Sequence, residues 1–247
     1  MVIRAVLFDL YRTIIDITTD EHDPVVYETL ARYLAYHAVK IAPGELKAAY
    51  FAGVKKCQEE SGEQHPEVDV YKIFSDLMHR YGRYGQYGKS CYAKSTIVDT
   101  AVLFRALTIR NFGLYDGCYD TLHDLTKRYR TALVSDAQWV FTEPEMAMCG
   151  LDRLFGAVLL SSRLGFRKPD ARLFTAALER LGVPPGEAVY IGDNPSRDLV
   201  GAKRAGMRCL LFRPESMRYD GIEADGGFDH YHELAAALKG LEEERAQ

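Results

Sequence analysis

Five short apolar runs constrain the fold of this chain more than any other feature: RAVLF (4–8), TALVS (131–135), AVLLS (157–161), AVYIG (188–192) and RCLLF (208–212). Each is too short for a helix and apolar at successive positions, so a strand formed there needs cover on both faces, as in a parallel sheet. Each of the last four runs is preceded by a segment with apolar residues three and four apart, GCYDTLHDLTKRY (117–129), EPEMAMCGLDRLF (143–155), PDARLFTAALERLG (169–182) and SRDLVGAKRAG (196–206). These spacings predict helices, two of them stopped by Gly. Strands alternating with helices predict an α/β fold built on a doubly wound, Rossmann-like parallel sheet.

Residues 17–114 interrupt the alternation after the first strand. Asp23-Pro24 is a helix start, followed by Val26, Leu30, Tyr33 and Leu34 on one face. Pro43 opens a second helix with Leu46, Tyr50, Val54 and Cys57. Tyr71, Phe74, Leu77, Met78 and Tyr81 stripe a third, and Thr100, Leu103, Phe104 and Leu107 a fourth. Four such helices predict a small bundle, inserted into a core made of 1–16 and 115–247. The Gly-rich YGRYGQYGKSCY (81–92) is expected to be a loop whose tyrosines either pack back on the bundle or touch a substrate.

A chain of 247 residues is long enough for a substantial core. Its net charge of -4 gives no basic footprint for nucleic acid. No run approaches the ~18 apolar residues of a membrane helix, and the start, MVIRAVLFD, lacks the pattern of a secretory signal. The five cysteines are scattered and never form a C-x-x-C pair, which fits reduced thiols. A cytoplasmic protein with a small-molecule partner is therefore expected, with no signal for oligomeric state. His230 and His232 stand close enough to share a metal, but no further ligand lies nearby, and a surface helix start is the better reading.

In open α/β sheets the ligand crevice lies beyond the carboxyl ends of the strands. The residues following the runs are Asp9, then Ser135-Asp136, then Ser161-Ser162 and RLGFRKPD, then GDNPSRD. Singly, each has a plain structural reading as a turn or helix cap. Together Asp9, Ser135, Lys168 and the Asp193/Asp198 pair resemble the four motifs of the haloacid dehalogenase superfamily. The first normally reads D-x-D-x-T or D-x-x-x-T and here is Asp9-Leu10-Tyr11-Arg12-Thr13. The second is a Ser or Thr after a strand, here LVSDA, and the third is a lysine, here in FRKPDARLF. The fourth is G-D-x-x-x-x-D, here GDNPSRD within IGDNPSRDLVGAKRAGM. The resemblance covers residues 1–16 and about 115–240, and it implies that 17–114 form a helical cap of the C1 type.

What the resemblance implies is a hydrolase that attacks phosphate monoesters with Asp9, through an aspartyl-phosphate. Mg²⁺ would be held by Asp9, the main-chain carbonyl of Tyr11 and Asp193, with Asp198 holding a metal-bound water. Lys168 would neutralise the phosphate and orient Asp9, Ser135 would donate to a phosphate oxygen, and amides near Leu10 and Asp136 would complete the cradle with Thr13. The departure from the family pattern is Tyr11, where its phosphatases carry a second aspartate as general acid and base. A phenol with an ordinary pKa of about 10 is a poor base at neutral pH. The same tyrosine resembles the 2-haloacid dehalogenases, which read D-x-Y-G-T, use no metal and form an aspartyl ester; but they lack the Gly-Asp pattern kept here, and Arg12 replaces their glycine, either contacting a substrate anion or merely occupying the turn. A non-catalytic module that binds a phosphorylated ligand is a third reading.

Overall fold

The structure, a computed structural model, describes residues 2–83 and 92–243. Most of the Gly-rich segment expected as a loop at 81–92 lies outside the described residues. The chain opens with β1 (Ala5–Phe8) and runs through β2 (Ile15–Thr19) into four helices: α1 (Pro24–Tyr36), α2 (Pro43–Glu60), α3 (Val70–Tyr81) and α4 (Lys94–Thr108). It returns through β3 (Ile109–Leu114) to α5 (Cys118–Thr126), β4 (Arg130–Ser135), α6 (Trp139–Met148), β5 (Ala157–Leu160) and a short α7 (Ser161–Leu164). Then come α8 (Ala171–Leu181), β6 (Ala188–Gly192), a π-helical turn (Pro195–Leu199), α9 (Val200–Arg204) and β7 (Arg208–Phe212). The strands β8 (Arg218–Tyr219), β9 (Ile222–Glu223) and β10 (Gly226–Phe228) precede the final helix α10 (Leu234–Glu243).

Six parallel strands form one sheet in the order β10-β7-β6-β1-β4-β5. The chain builds outward from β1 to β4 and β5, then returns to the other flank for β6, β7 and β10. That reversal leaves the loops after β1, β4 and β6 side by side at one edge, where such sheets hold ligands. All four β1 side chains are buried, and they alternate: Val6 and Phe8 join Leu133 and Ile191 on one face, while Ala5 and Leu7 join Val134 and Tyr190 on the other. Burial on both faces is why these runs read as unbroken apolar stretches.

Between β2 and β3 the four helices pack in a closed set, α1 on α2 and α4, and α3 on α2 and α4. Tyr50, Phe74 and Phe104 meet at its centre with ring centroids 4.7–5.7 Å apart. Asp23 and Asp69 cap α1 and α3 by accepting from the amides two residues on. β2 and β3 pair antiparallel as a two-stranded ribbon.

Two expectations change. The helix expected at 143–155 instead begins at Trp139 and ends at Met148, with Pro144 inside it. Burial of Trp139, Val140, Phe141 and Met146 outweighs the backbone hydrogen bond that the proline removes. The helix expected at 196–206 is split into the π-helical turn, which contains Asp198, and the short α9.

Candidate active site

Asp9 follows β1 directly, and its amide donates to the Ile191 carbonyl at 2.8 Å, so the end of β1 is registered against the end of β6. One residue beyond β6 stands Asp193, and Asp198 lies in the π-helical turn. Gly192 is required between them and the sheet: a Cβ there would fall 2.4 Å from the Asp198 carboxyl carbon. The fold thus brings Asp9, Asp193 and Asp198 together, each offering an oxygen within 4.8 Å of the others.

Lys168 is the buried cation facing them. Its Nζ lies 2.6 Å from Asp198 Oδ1 and 2.8 Å from Asp9 Oδ1. The Tyr190 hydroxyl donates to the Val134 carbonyl (2.8 Å) and accepts from Lys168 Nζ (3.0 Å). Burial alone would favour the neutral amine, but Asp198, Asp9 and Asp136 together hold the ammonium above its ordinary pKa. Asp198 is pushed up by complete burial, against the pull of Lys168. Asp193 is pushed up to about 6 by burial and by the charges of Asp198 and Asp9, with Arg12 opposing.

These groups fit a hard divalent cation. One buried ammonium, with the exposed Arg12 beside Asp193, faces three carboxylates, and buried carboxylates without enough positive charge cost several kcal/mol apiece, roughly. Asp9 Oδ1 is buried with no hydrogen bond among the described residues, since Lys168 attracts it by charge from outside the hydrogen-bonding direction. Carboxylate oxygens are the ligands Mg²⁺ prefers. Asp198 differs from the other two. Its Oδ1 is taken by Lys168 and its Oδ2 by the Asn194 amide at 2.8 Å, which suits it to support the cation through a water.

The remaining predicted residues lie around this cluster. Ser135 ends β4 and is buried. Asp136 Oδ1 accepts from the Lys168 amide at 2.8 Å, tying the loops after β4 and β5 together, while its Oδ2 has no hydrogen bond and lies 3.6 Å from Arg197 Nη1. Leu10 is buried, and its carbonyl accepts from the Ile14 and Ile15 amides. Thr13 is also buried, with an Oγ1 that has no hydrogen-bond partner among the described residues. Arg12 adopts a left-handed backbone (φ 64°), and its Nε reaches Asp193 Oδ2 at 3.3 Å, on the rim. The serines at 161 and 162 face away from the cluster's work: Ser161 Oγ accepts from the Ala137 amide and donates to Glu67, and Ser162 Oγ accepts from the Trp139 amide. His230 and His232 stack at 5.5 Å, with His230 in a helix-capping box, and no third metal-binding side chain joins them among the described residues.

Tyr11 does not offer its hydroxyl to the cluster. It donates to Glu145 Oε2 and lies 3.1 Å from Thr142 Oγ1, both on α6. Burial and the Glu145 charge raise its pKa well above the ordinary phenol value, with Arg105 opposing. Neither Glu145 nor Arg105 is marked by the motif pattern. A charged residue on an amphipathic helix reads as solvent-facing until its partner is known, and here the partner is 40 residues away. Tyr190 is also missed, although a tyrosine within a fully buried strand needs a polar partner for its hydroxyl. Beside the cluster a cleft of about 370 Å³ is lined by Tyr11, Arg12, Arg105, Asp136 and Phe141 among others.

Residues 3–206 match the family described as haloacid dehalogenase-like hydrolase. A glyceraldehyde 3-phosphate phosphatase of Methanothermobacter thermautotrophicus is 27% identical over 235 residues, covering 91% of this chain and 92% of that protein. Among solved structures, a 2-haloacid dehalogenase from Pseudomonas syringae pv. tomato DC3000 superposes with a TM-score of 0.67 at 22% identity, over 97% of this chain and 99% of that one. A HAD phosphatase from Thermococcus onnurineus gives 0.60 at 24% identity, over 96% and 99%. Both chemistries thus occur on this fold, and the site has to separate them.

Proposed function

The chain belongs to the haloacid dehalogenase-like hydrolases, and from that premise we propose that it is a Mg²⁺-dependent phosphatase acting on a small phosphorylated molecule in the cytoplasm. The observation that carries this reading is the trio of buried Asp9 and Asp198 with half-buried Asp193, facing the single ammonium of Lys168. A metal-free dehalogenase has no use for that surplus of carboxylate, whereas a phosphatase needs it to seat a cation. A relative that matches along nearly the whole chain is a phosphatase by name, which supports the same choice.

Asp9, Asp193 and the Tyr11 carbonyl would hold the cation, with Asp198 supporting a water. Mg²⁺ bound there screens the repulsion between an attacking carboxylate and a dianionic phosphoryl group. Asp9 then attacks phosphorus through one carboxylate oxygen as the bond to the alcohol oxygen breaks, giving an aspartyl-phosphate and an alkoxide or phenolate. Water attacks phosphorus in the second step, releasing inorganic phosphate and restoring Asp9. Lys168 neutralises the phosphate and aims Asp9, while Ser135 and the amides at Leu10 and Asp136 hold phosphate oxygens. With the Tyr11 hydroxyl engaged by Glu145, the leaving oxygen departs without a proton from that side chain, so phenolate leaving groups are favoured. We read the helices within 17–114 as a cap that excludes water from the cleft.

The test is hydrolysis of 4-nitrophenyl phosphate with and without Mg²⁺, in the native chain and in Asp9→Asn. Turnover that requires Mg²⁺ and vanishes in Asp9→Asn is expected. Halide release from 2-chloropropionate in chelator would replace this reading with the dehalogenase, and ligand-dependent stabilisation without either turnover would replace it with a binding module.

A further inference from the structure

Glu145 is a buried carboxylate that the proposed reaction leaves without a role. Its side chain is 6% exposed. Arg105 of α4 donates to it twice, Nε to Oε1 at 2.6 Å and Nη2 to Oε2 at 3.3 Å, and the Tyr11 hydroxyl donates to Oε2 from the other side. The Arg105 guanidinium also lies 5.1 Å from the Tyr11 ring centroid and 5.3 Å from that of Phe141. Three separate segments therefore meet here: the inserted helices, α6 and the loop after β1.

Stability does not require such a junction. Apolar side chains of similar volume commonly replace a buried ion pair without loss, so a retained pair is better explained by the geometry it fixes. What is fixed here is residue 11. The loop after β1 needs fixing, because Arg12 holds a left-handed backbone that a non-glycine residue adopts reluctantly. Downstream the Arg12 amide is tied to the Ile15 carbonyl at 2.7 Å. The Glu145 contact supplies the matching restraint on the Tyr11 side chain.

We propose that Glu145, with Arg105 as its counter-ion, is a positioning residue that clamps the Tyr11 phenol and thereby sets the Tyr11 carbonyl and the Asp9 carboxylate for cation binding. The inference rests on the Mg²⁺-dependent reading above and adds to it a residue outside the motifs. It also makes the seating of the cation depend on contact between α4 and α6.

The experiment is a titration with Mg²⁺ alone, followed by melting temperature, on the full chain and on three variants: Tyr11→Phe, the apolar pair Arg105→Met/Glu145→Leu, and all three substitutions combined. Groups that orient metal ligands typically contribute about 10- to 100-fold to affinity. The Mg²⁺ midpoint is therefore expected to weaken by that factor in Tyr11→Phe and in the apolar pair, with no further loss when they are combined, because both remove one clamp. The kcat for 4-nitrophenyl phosphate at saturating Mg²⁺ should change less than the midpoint. If the metal-free melting temperature moves while every variant keeps the native midpoint, the junction is structural only and the inference falls. Additive losses overturn it as well. A native chain that shows no response to Mg²⁺ would sink the functional reading and this inference together, whereas a normal native response with unaltered variants would sink this inference alone.

Discussion

On the proposed mechanism, a phenol at position 11 leaves the departing alcohol without the proton donor that a carboxyl would supply, an effect usually worth about 10²- to 10⁴-fold in rate. Tyr11→Asp should therefore raise hydrolysis of alkyl phosphates relative to aryl phosphates. The gain should be larger when Glu145→Gln is added, because the single variant sets two carboxylates side by side where the phenol now donates to Glu145. An unchanged alkyl-to-aryl ratio in both variants would mean that residue 11 does not face the leaving group. Asp193 supports a second prediction. Its pKa is raised to about 6, so between about pH 4 and 6 the folded metal-free chain keeps a proton that the unfolded chain has released. That contribution to stability is present at the acid end and is lost as pH rises through 6. In chelator, Asp193→Asn should match the native chain near pH 3, below both pKa values, and exceed it at pH 7 by about 2–3 kcal/mol at most, read by urea unfolding.

At the scale of elements, the end of β6 and the π-helical turn act as one unit because Gly192 lets the Asp198 carboxyl approach the strand. Asp198 is fully buried and cannot yield. Gly192→Ala should cost about 1–3 kcal/mol by overpacking, and it should weaken the Mg²⁺ response as well; denaturation in chelator and a metal titration measure the two effects separately. That Asp193 and Asp198 follow this strand was legible in sequence, because the motif names them; the π-helical turn and the close approach at Gly192 were not, because 196–206 reads as one helix. The strands β1, β4, β5, β6 and β7 were legible for a related reason, since burial on both faces leaves an unbroken apolar run. β10 was not, because Gly226 and Gly227 carry no side chain and only Phe228, packed on Phe212 of β7, is left to mark it. The ribbon strands were missed too: IDITT and IRNFGL are mostly only partly buried, so no apolar run marks them. Glu145 and Arg105 escaped because burial of a charge is decided by a partner distant in sequence. The helix read at 143–155 from apolar spacing was misplaced, since tertiary burial of Trp139 and Phe141 carries its start back through Pro144.

Across the whole molecule, the inserted helices touch the core in regions of unequal strength. The Arg105–Glu145 pair is buried. Farther along, residues 63–70 lie against the loop that leads to Lys168 through thinner contacts. Pro66 and Phe166 form a lone bridge, with the Glu67 amide donating to Gly165 and the Arg167 amide to His65, and Arg172 pairs with Glu63 near the surface. Gln138 adds hydrogen bonds to Val68 and Val70. A bridge without a neighbouring ladder opens at low free-energy cost. Native-state hydrogen exchange should therefore show the Glu67 and Arg167 amides exchanging well before those of Leu7 and Tyr190 in the central sheet; equal protection would show that the contact region is as firm as the core.

The paired strands β2 and β3 add something to this picture. Neighbouring antiparallel strands lie about 5 Å apart, so the chain departs for its long excursion and comes home through what is, to the sheet, a gap no wider than a hairpin. Whatever is carried on that stalk can be lengthened, trimmed or exchanged without changing the distance its ends must bridge. Selection can therefore alter the excursion while the sheet edge that carries Asp9, Asp193 and Asp198 keeps its form.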